Sequence, residues 1–374
     1  MQTPVPSIAR SEAPLLPIVA TGAAFLVFGK TWLSDLSDLV WLALMFCWLF
    51  AAILWAAIRV VHHADCLAVK LGEPYGTLIL TVSVISIEVL MISALMLSGS
   101  NNPALARDTM FAVIMIVLNG MVGLTLLVGA LRYREQSYNL QGANAYLSVI
   151  IPLAVLSLVL PNYTVSTATP TLSSFQAVFL ILICVALYGS FLAIQTVRHT
   201  GYFDQLDPAP ENGEDDQGHG ALVIRSLPFH ALMLLAYIIP VVLLAKQLAV
   251  PIDYGIETLG LPAALGGFIV AALVLTPEAI SGVGAALANR LQRSVNIFLG
   301  SVLATIGLTV PAVLVISLFS GKPLELGLQH ADLVMLLVTL AVSMVTFSAM
   351  RTNLLQGVVH LILFFAYVML VFAP

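Results

Sequence analysis

The sequence predicts an all-α polytopic membrane protein of about eleven transmembrane helices, arranged as one helix followed by two inverted repeats of five. Three observations predict it: a shortage of charge, a series of long apolar runs, and two sequence blocks that occur once in each half. Of 374 residues, 9% are charged and 60% are hydrophobic, whereas about a quarter of an average soluble domain is charged. So few charges cannot cover a water-exposed surface, so the composition excludes soluble enzymes, nucleic-acid binders and disordered chains.

The apolar runs are long enough to be membrane spans, because a helix needs about 20 apolar residues to cross a bilayer core of about 30 Å. They are apolar throughout, without the alternation of a membrane β-barrel. The first run, with Pro14 and Pro17 at its start, is predicted to be retained, since no A-x-A-like signal-peptide site with a polar mature terminus follows it. The predicted spans are residues 14–29, 39–61, 74–98, 108–131, 143–160, 173–197, 227–249, 261–287, 295–318, 330–349 and 353–373.

The cations predict the orientation, because Lys and Arg concentrate in cytoplasmic loops. Ten of the 14 fall on the side of the N-terminus and only Lys30, Arg107, Lys246 and Lys322 on the other. The N-terminus is therefore predicted to be cytoplasmic, and an odd number of spans places the C-terminus outside. The ten are Arg10, Arg59, Lys70, Arg132, Arg134, Arg198, Arg225, Arg290, Arg293 and Arg351.

A single long connection divides the chain into two hydrophobic halves. We predict an N-terminal segment with the first helix at 1–38, a first five-helix repeat at 39–197, an acidic cytoplasmic linker at 198–226, and a second five-helix repeat at 227–374. The linker is rich in Pro, Gly and Asp and lacks periodicity, which favours a flexible, solvated segment over a cation sensor. Its acids are Asp204, Asp207, Glu211, Glu214, Asp215 and Asp216.

Two sequence blocks indicate an internal repeat. Residues 76–88 read GTLILTVSVISIE and residues 266–278 read GGFIVAALVLTPE, so each block begins with Gly and ends in Glu, with a hydroxyl two residues before it. Further along, VGLTL at 122–126 matches IGLTV at 306–310. With five helices per half, equivalent helices run in opposite directions, which is the inverted-repeat arrangement of many secondary transporters.

Glu88 and Glu278 are the acids that lie deep inside predicted spans. A charged carboxylate at that depth costs about 2.5–3.5 kcal/mol, and no Lys or Arg lies deep in any span to pair with it. A protonated, hydrogen-bonded Glu is the structural alternative. Two Glu at equivalent repeat positions favour instead a site where protons and metal cations compete. Oxygen ligands of this kind suit hard cations such as Ca²⁺, Na⁺ or K⁺.

Small polar residues on the same helices are predicted to support the ion pathway. Hydroxyls and amides at helical spacing offer oxygen ligands, although ordinary packing between membrane helices uses the same residues. The predicted supporting residues are Thr81, Ser86, Asn119, Thr276, Asn296, Ser301 and Thr305.

The histidines are predicted to be structural. His62 and His63, with Asp65, follow the second apolar run and could relay protons, but a solvated helix end is the favoured interpretation. His360 lies within the last span, outside the repeated blocks.

Three stretches carry a family resemblance: Gly72-Glu73-Pro74-Tyr75-Gly76 leading into Glu88, then Thr276-Pro277-Glu278, and Gly300-Ser301-Val302-Leu303. Through them the chain resembles the calcium–cation antiporter superfamily, and within it the bacterial sodium/calcium–proton antiporter branch. The resemblance implies two inverted repeats, one transport-site acid from each (here Glu88 and Glu278), and a bacterial inner membrane location. It also implies inorganic cations and protons as cargo, with no resident cofactor and no nucleic-acid partner.

The chain departs from the superfamily pattern just before both acids. Many calcium/proton exchangers have G-N-x-x-E there, whereas this chain has Val84-Ile85 and Val274-Leu275, and Thr305 stands at the Asn of a later helix. Fewer amide ligands make Na⁺ and K⁺ candidates beside Ca²⁺. We therefore expect a cation/proton antiporter. A cation channel without proton coupling is the alternative, followed by a membrane-embedded enzyme, for which the sequence shows no H-E-x-x-H motif.

Overall fold

The computed structural model describes residues 8–72, 75–98, 102–167, 169–205 and 224–373. Glu73 and Pro74 of the first family motif, and all the linker acids except Asp204, lie outside these residues. Eleven long helices occur in the described part of the chain, as the sequence predicts, and ten of them are long and apolar enough to cross a membrane. They are α1 Leu15–Trp32, α2 Leu39–Leu71, α3 Tyr75–Ser98, α4 Leu105–Tyr133, α5 Leu140–Asn162, α6 Ser174–Arg198, α7 Leu227–Glu257, α8 Ala264–Leu287, α9 Leu291–Ser320, α10 His330–Thr346 and α11 Leu354–Phe372.

The helix surfaces show that lipid is the solvent. Large apolar side chains project outward along the spans, among them Leu16, Phe175 and Phe319, which are 78%, 81% and 90% exposed. In water such a surface would promote aggregation, whereas in hydrocarbon it costs nothing. The sequence prediction of an all-α polytopic membrane protein is thus confirmed.

One compact unit comprises residues Met1–Asn102 and His219–Leu261, and its helices are α1, α2, α3 and α7. The helices α2 and α7, which are the first of each half, pack along one another, and α1 and α3 pack on this pair. The C-terminal part of α2 meets the N-terminal part of α7. His63 is hydrogen-bonded to His230 there, and Lys70 donates to the Arg225 carbonyl. The two helices therefore run antiparallel, as an inverted repeat requires.

The other unit comprises residues Pro103–Gly218 and Pro262–Pro374, and it contains the remaining helices. The third helices of the two halves, α4 and α9, run antiparallel within it. The Glu325 N–H, beyond the end of α9, donates to the Pro103 carbonyl before α4 at 3.0 Å. At the other end, the Tyr133 hydroxyl donates to the Leu287 carbonyl at 2.7 Å.

The repeated G-L-T blocks occupy equivalent positions in the packing of this unit. A Cβ atom on Gly123 of α4 would lie 2.9 Å from the Leu361 backbone nitrogen of α11, and one on Gly307 of α9 would lie 3.0 Å from Tyr188 Cδ2 of α6. Each glycine thus accepts the fifth helix of the opposite half. The match between the two blocks reflects the same packing requirement in both copies.

The loops of this unit contact each other according to their predicted side. Residues Gln136–Ser137, after α4, pair antiparallel with Arg351–Thr352, after α10. The Asn162 side-chain amide, after α5, donates to the Leu328 carbonyl, before α10, at 2.6 Å. Both contacts join loops separated by an even number of spans, which must lie on one side of the membrane.

Candidate functional site

Glu88 lies in the middle of α3, with 2% of its surface exposed. Two residues earlier, the Ser86 hydroxyl donates to the Val82 carbonyl one turn back, at 2.6 Å. Ser83 makes the same kind of bond to the Ile79 carbonyl, also at 2.6 Å. The predicted supporting residue Thr81 is half-buried on this helix. The helix thus places a buried carboxylate just after a hydroxyl whose proton is already engaged.

Glu278 lies within α8 and is half-buried. Its preceding hydroxyl, Thr276, donates to the Ala272 carbonyl at 2.6 Å. The bond has the same partner spacing and length as that of Ser86. Pro277 lies inside the helix, where it contributes no backbone N–H to the hydrogen-bond ladder. The two predicted site helices are therefore alike at the hydroxyl two residues before each acid, and they differ at the next residue, where α3 has Ile87.

The third helix of each half contains a π-helical turn, Ile116–Met121 in α4 and Thr305–Thr309 in α9. Such turns, which also occur in α5 and α6, are frequent at functional sites. Thr305 begins the second turn and is buried, and Ser301 lies one turn before it, half-buried. The π-helical turns change the direction in which side chains project from α4 and α9, which both lie in the second unit.

Asn119, in the first π-helical turn, is held by the side chains of Met115, Thr339 and His360. Its amide donates to Thr339 Oγ1 at 2.8 Å, and His360 Nδ1 lies 3.3 Å from its carbonyl oxygen. His360 Nε2 in turn lies 2.9 Å from Thr346 Oγ1. Asn119 must accept through its oxygen, so His360 donates from Nδ1 and accepts the Thr346 proton at Nε2. His360, predicted to be structural, thus orients a residue predicted to support the pathway.

Asn296, near the start of α9, contacts the beginning of the predicted linker. It donates to the Phe203 carbonyl at 2.8 Å and accepts from the Gln292 side chain at 2.9 Å. Asn139 donates to the Gly201 carbonyl nearby, at 3.0 Å. The described first residues of the linker are therefore folded against this unit, where the composition predicts a flexible segment.

A family model described as sodium/calcium exchanger protein matches residues 41–197 and 229–373. The chain belongs to this family. The two matched stretches leave out residues 198–228, which include the acidic linker.

Relatives of this exchanger align along most of its length. The protein y4hA of Sinorhizobium fredii (strain NBRC 101917 / NGR234) is 46% identical over 316 residues, which cover 84% of each chain. The sodium-potassium/proton antiporter ChaA of Escherichia coli (strain K12) is 42% identical over 321 residues, covering 86% of this chain and 87% of ChaA. Among solved structures, native YfkE has a TM-score of 0.73 at 18% identity, covering 96% of this chain and 100% of YfkE. That likeness shows the exchanger fold.

The structure adds a polar cluster that the sequence did not predict for this exchanger. It consists of Glu12, Arg59, His63, His230 and Tyr237. Glu12 Oε2 accepts from Arg59 Nη2 at 2.9 Å and from the Tyr237 hydroxyl at 3.1 Å, and it lies 3.2 Å from His63 Nε2. His63 and His230 are 0% and 1% exposed, so the interpretation of His63 as part of a solvated helix end is wrong.

The charges of this cluster are balanced. Glu12 lies before the first span, and burial raises the pKa of its carboxyl. The hydrogen bond and charge of Arg59 outweigh that effect and hold the pKa below its ordinary value of 4.5. Glu12 is therefore a carboxylate at neutral pH, paired with the Arg59 guanidinium.

Proposed function

We propose that this exchanger is a secondary antiporter that exports Ca²⁺ or Na⁺, or K⁺, in exchange for H⁺ by alternating access. Glu88 and Glu278 bind the cation and the proton in competition. The observation that carries the proposal is the equivalence of the two acids. Each lies inside a membrane helix, two residues after a hydroxyl bonded to the carbonyl one turn back. A structural role for one buried Glu would not require the same surroundings at the equivalent position of the second repeat.

The bonded hydroxyls favour a cation as the ligand of these acids. Because the protons of Ser86 and Thr276 are engaged with Val82 and Ala272, their oxygens keep free lone pairs. Lone pairs on a hydroxyl oxygen and a carboxylate are what hard cations bind. When the carboxylate is protonated, the same oxygens can accept a hydrogen bond from it, so the site serves both cargoes.

The identity of the cation is supported from two directions. ChaA, 42% identical to this chain, is named a sodium-potassium/proton antiporter. A protein of Aphanothece halophytica, 25% identical over 250 residues, is named a Ca²⁺/H⁺ antiporter. This chain has no Asn three residues before either acid. We propose that the missing amides weaken the preference for Ca²⁺ and admit Na⁺ and K⁺.

The proposed setting is a bacterial inner membrane, with the N-terminus cytoplasmic and the C-terminus external. In a cell with an inward proton gradient, protons entering from outside displace the cation on the external side, and the net result is cation efflux. Ten of the 14 Lys and Arg on the proposed cytoplasmic side support this orientation.

The test is cation-driven proton movement in everted vesicles, followed with a pH-sensitive dye. Ca²⁺, Na⁺ and K⁺ are added in turn across a range of pH. We expect Glu88→Gln and Glu278→Gln each to abolish the signal, since a neutral amide neither releases a proton nor balances the cation charge. Glu257→Gln is the matched control, because Glu257 is an exposed acid at the end of α7. Full activity of either site variant would contradict the proposal.

The same preparation tests the channel alternative. A channel passes cation current without moving protons, so electrical current in planar bilayers with an unchanged dye signal would replace the antiport proposal.

A further inference from the structure

The hydrogen bonds of the polar cluster determine where each proton lies. The backbone N–H of Arg225 points at His230 Nε2 at 2.9 Å, and a backbone N–H can only donate. His230 Nε2 therefore carries no proton, and neutral His230 has its proton on Nδ1. That atom lies 3.0 Å from His63 Nδ1, so His63 Nδ1 is the acceptor.

The second histidine connects to Glu12 of the N-terminal segment. Since His63 accepts at Nδ1, its proton is on Nε2, which faces the Glu12 carboxylate at 3.2 Å. The resulting chain of donors runs from Arg225 through His230 and His63 to Glu12. Every imidazole nitrogen in it is used once, and both rings are neutral.

This chain has no room for another proton. Both imidazole nitrogens able to accept one, His63 Nδ1 and His230 Nε2, already accept a hydrogen bond. A proton on His63 Nδ1 would set two N–H groups against each other across 3.0 Å. A proton on His230 Nε2 would do the same against the Arg225 backbone. Protonation must therefore break a link in the chain.

The charges around the pair come from every neighbouring element. Glu12, before α1, favours a proton on the pair, whereas Arg59 and Lys70 of α2 and Arg225 before α7 oppose it. His62 adjoins His63, and the Tyr237 ring stacks on the His63 ring at 5.6 Å. The packed helix α3 carries Tyr75 and Glu88 as titratable residues.

We propose that the hydrogen bond between His63 and His230 is a proton-released latch between the first helices of the two repeats. At neutral pH it ties the C-terminal end of α2 to the N-terminal end of α7. Acidification on that side, which we propose to be cytoplasmic, adds a proton to the pair and opens it. The consequence for transport rests on the proposed antiport: opening the latch loosens α2 against α7 within their unit, and we expect this to speed the exchange.

The latch can be observed without any transport assay. In ¹⁵N-histidine-labelled protein in lipid bilayers, an Nδ1–H···Nδ1 bond gives a nitrogen–nitrogen coupling between His63 and His230 by solid-state NMR. We expect the coupling at pH 8 and its loss on acidification below 6.5, the ordinary pKa of histidine, because the added proton must break a link in the chain. Absence of the coupling at pH 8, or its undiminished persistence at pH 4, would overturn the latch.

The transport consequence is tested by isotopic cation self-exchange in everted vesicles at equal pH on both faces. As pH falls from 8 to 4, the ratio of the wild-type rate to the His63→Gln rate should rise by about 2- to 10-fold, the range expected for one buried hydrogen bond. Competition between protons and cations at Glu88 and Glu278 lowers both rates alike, so the ratio isolates the latch. His63→Gln keeps the geometry, since its oxygen accepts from His230 and its amide donates to Glu12, but it takes up no proton. This variant should lack the latch-dependent rise, while His62→Gln, at the neighbouring histidine, keeps it.

The outcomes separate the two proposals. An NMR coupling that titrates, together with no cation-dependent exchange at any pH, leaves the latch and removes the antiport function. Identical pH profiles for His63→Gln and His62→Gln would remove the role of the latch in transport.

Discussion

Ser86 and Thr276 differ by a methyl group, and yet they make the same hydrogen bond two residues before a membrane-embedded acid. The bond to the carbonyl one turn back fixes each hydroxyl proton, so the oxygen can only accept or coordinate. At the scale of single residues, the bond fixes the direction of the hydroxyl, and the position two residues before the acid is what makes Ser86 and Thr276 candidate ligands.

A serine substitution tests that role. We expect Ser86→Ala to raise the KM for the transported cation about tenfold, the effect of losing about 1.4 kcal/mol of binding, with little change in protein stability. Ser83→Ala removes the same kind of bond on the same helix and is the control. Cation titration of dye-monitored proton release provides the measurement, and equal KM values for the two variants would show that the Ser86 oxygen is not a ligand.

The contact between the Glu12 carboxylate and Arg59 depends on pH. Its pKa in the folded protein is lowered below 4.5, so its stabilising contact with Arg59 is complete above pH 4.5 and is lost as pH falls through the lower folded value. A nitroxide on Ala13→Cys should therefore become mobile only below pH 4.5, and it should be mobile at every pH in Glu12→Gln. Asp35→Asn, which removes a carboxyl bonded to Ser37, should leave the label unaffected. Release of the label in wild type near pH 6.5 would contradict the assignment to Glu12.

The sequence indicated Glu88 and Glu278 because a carboxylate is rare within an apolar run and its cost demands a reason. The cost of a polar residue in lipid does not single out His63 and His230. Each stands near a span end, where a polar residue costs little whether it is solvated or paired. Their positions are 167 residues apart, so no local pattern reports that they meet. The sequence predicts a structural role for His360 but not its partner, because Asn119 is 241 residues away.

At the scale of helices, the close approach of α8 to α4 decides how the Glu278 helix is held in its unit. A Cβ atom on Gly267 would lie 2.6 Å from the Asp108 carbonyl carbon and 2.6 Å from the Thr109 nitrogen. Both are backbone atoms, so a side chain at this position would force the helices apart.

A pair of glycine substitutions on α8 tests this packing. We expect Gly267→Ala to destabilise the protein by about 1–3 kcal/mol, the usual cost of overpacking. Gly284→Ala adds the same methyl group where nothing lies within 4 Å, so the better helix propensity of alanine should leave stability equal or slightly higher. The measurement is the thermal unfolding midpoint in detergent, and equal midpoints would exclude a tight contact at Gly267.

The spans were predictable in number and less so at their ends. Hydropathy predicted the second span to end at residue 61, whereas α2 continues to Leu71. The seventh was predicted to end at 249, and α7 continues past Pro251 to Glu257. In α2 the extension contains polar residues, including His63, that are satisfied by other elements and so remain helical. Hydropathy predicts which residues can lie in lipid, whereas hydrogen bonds inside the protein determine where these helices end.

For the whole molecule, the contacts between loops test the topology independently of charge. In the second unit the paired strands, and the bond between Asn162 and Leu328, each join loops separated by an even number of spans. One span too many or too few between them would place the partners on opposite faces of the bilayer. The number of spans and the inverted arrangement therefore support each other.

Cysteine labelling gives a direct test of the orientation. In a Cys47→Ser background, Glu135→Cys and Arg351→Cys should react with an impermeant maleimide in everted vesicles and not in intact cells. Their side chains are 56% and 76% exposed and form an ion pair. Val165→Cys, 99% exposed in the loop after α5, should show the reverse pattern. Labelling of all three from one face would refute the topology, and a complete reversal would invert the proposed orientation.

The short pairing of Gln136–Ser137 with Arg351–Thr352 also bears on how the chain is made. The Thr352 hydroxyl donates to the Gln136 carbonyl across 216 positions, so after the first strand a ribosome must add more than half of the protein before the two strands can meet. Until the tenth span has been inserted, the segment after α4 has no strand to pair with. During synthesis, a chaperone or the insertion machinery would therefore encounter that segment unpaired, and the pairing would be among the last contacts to form.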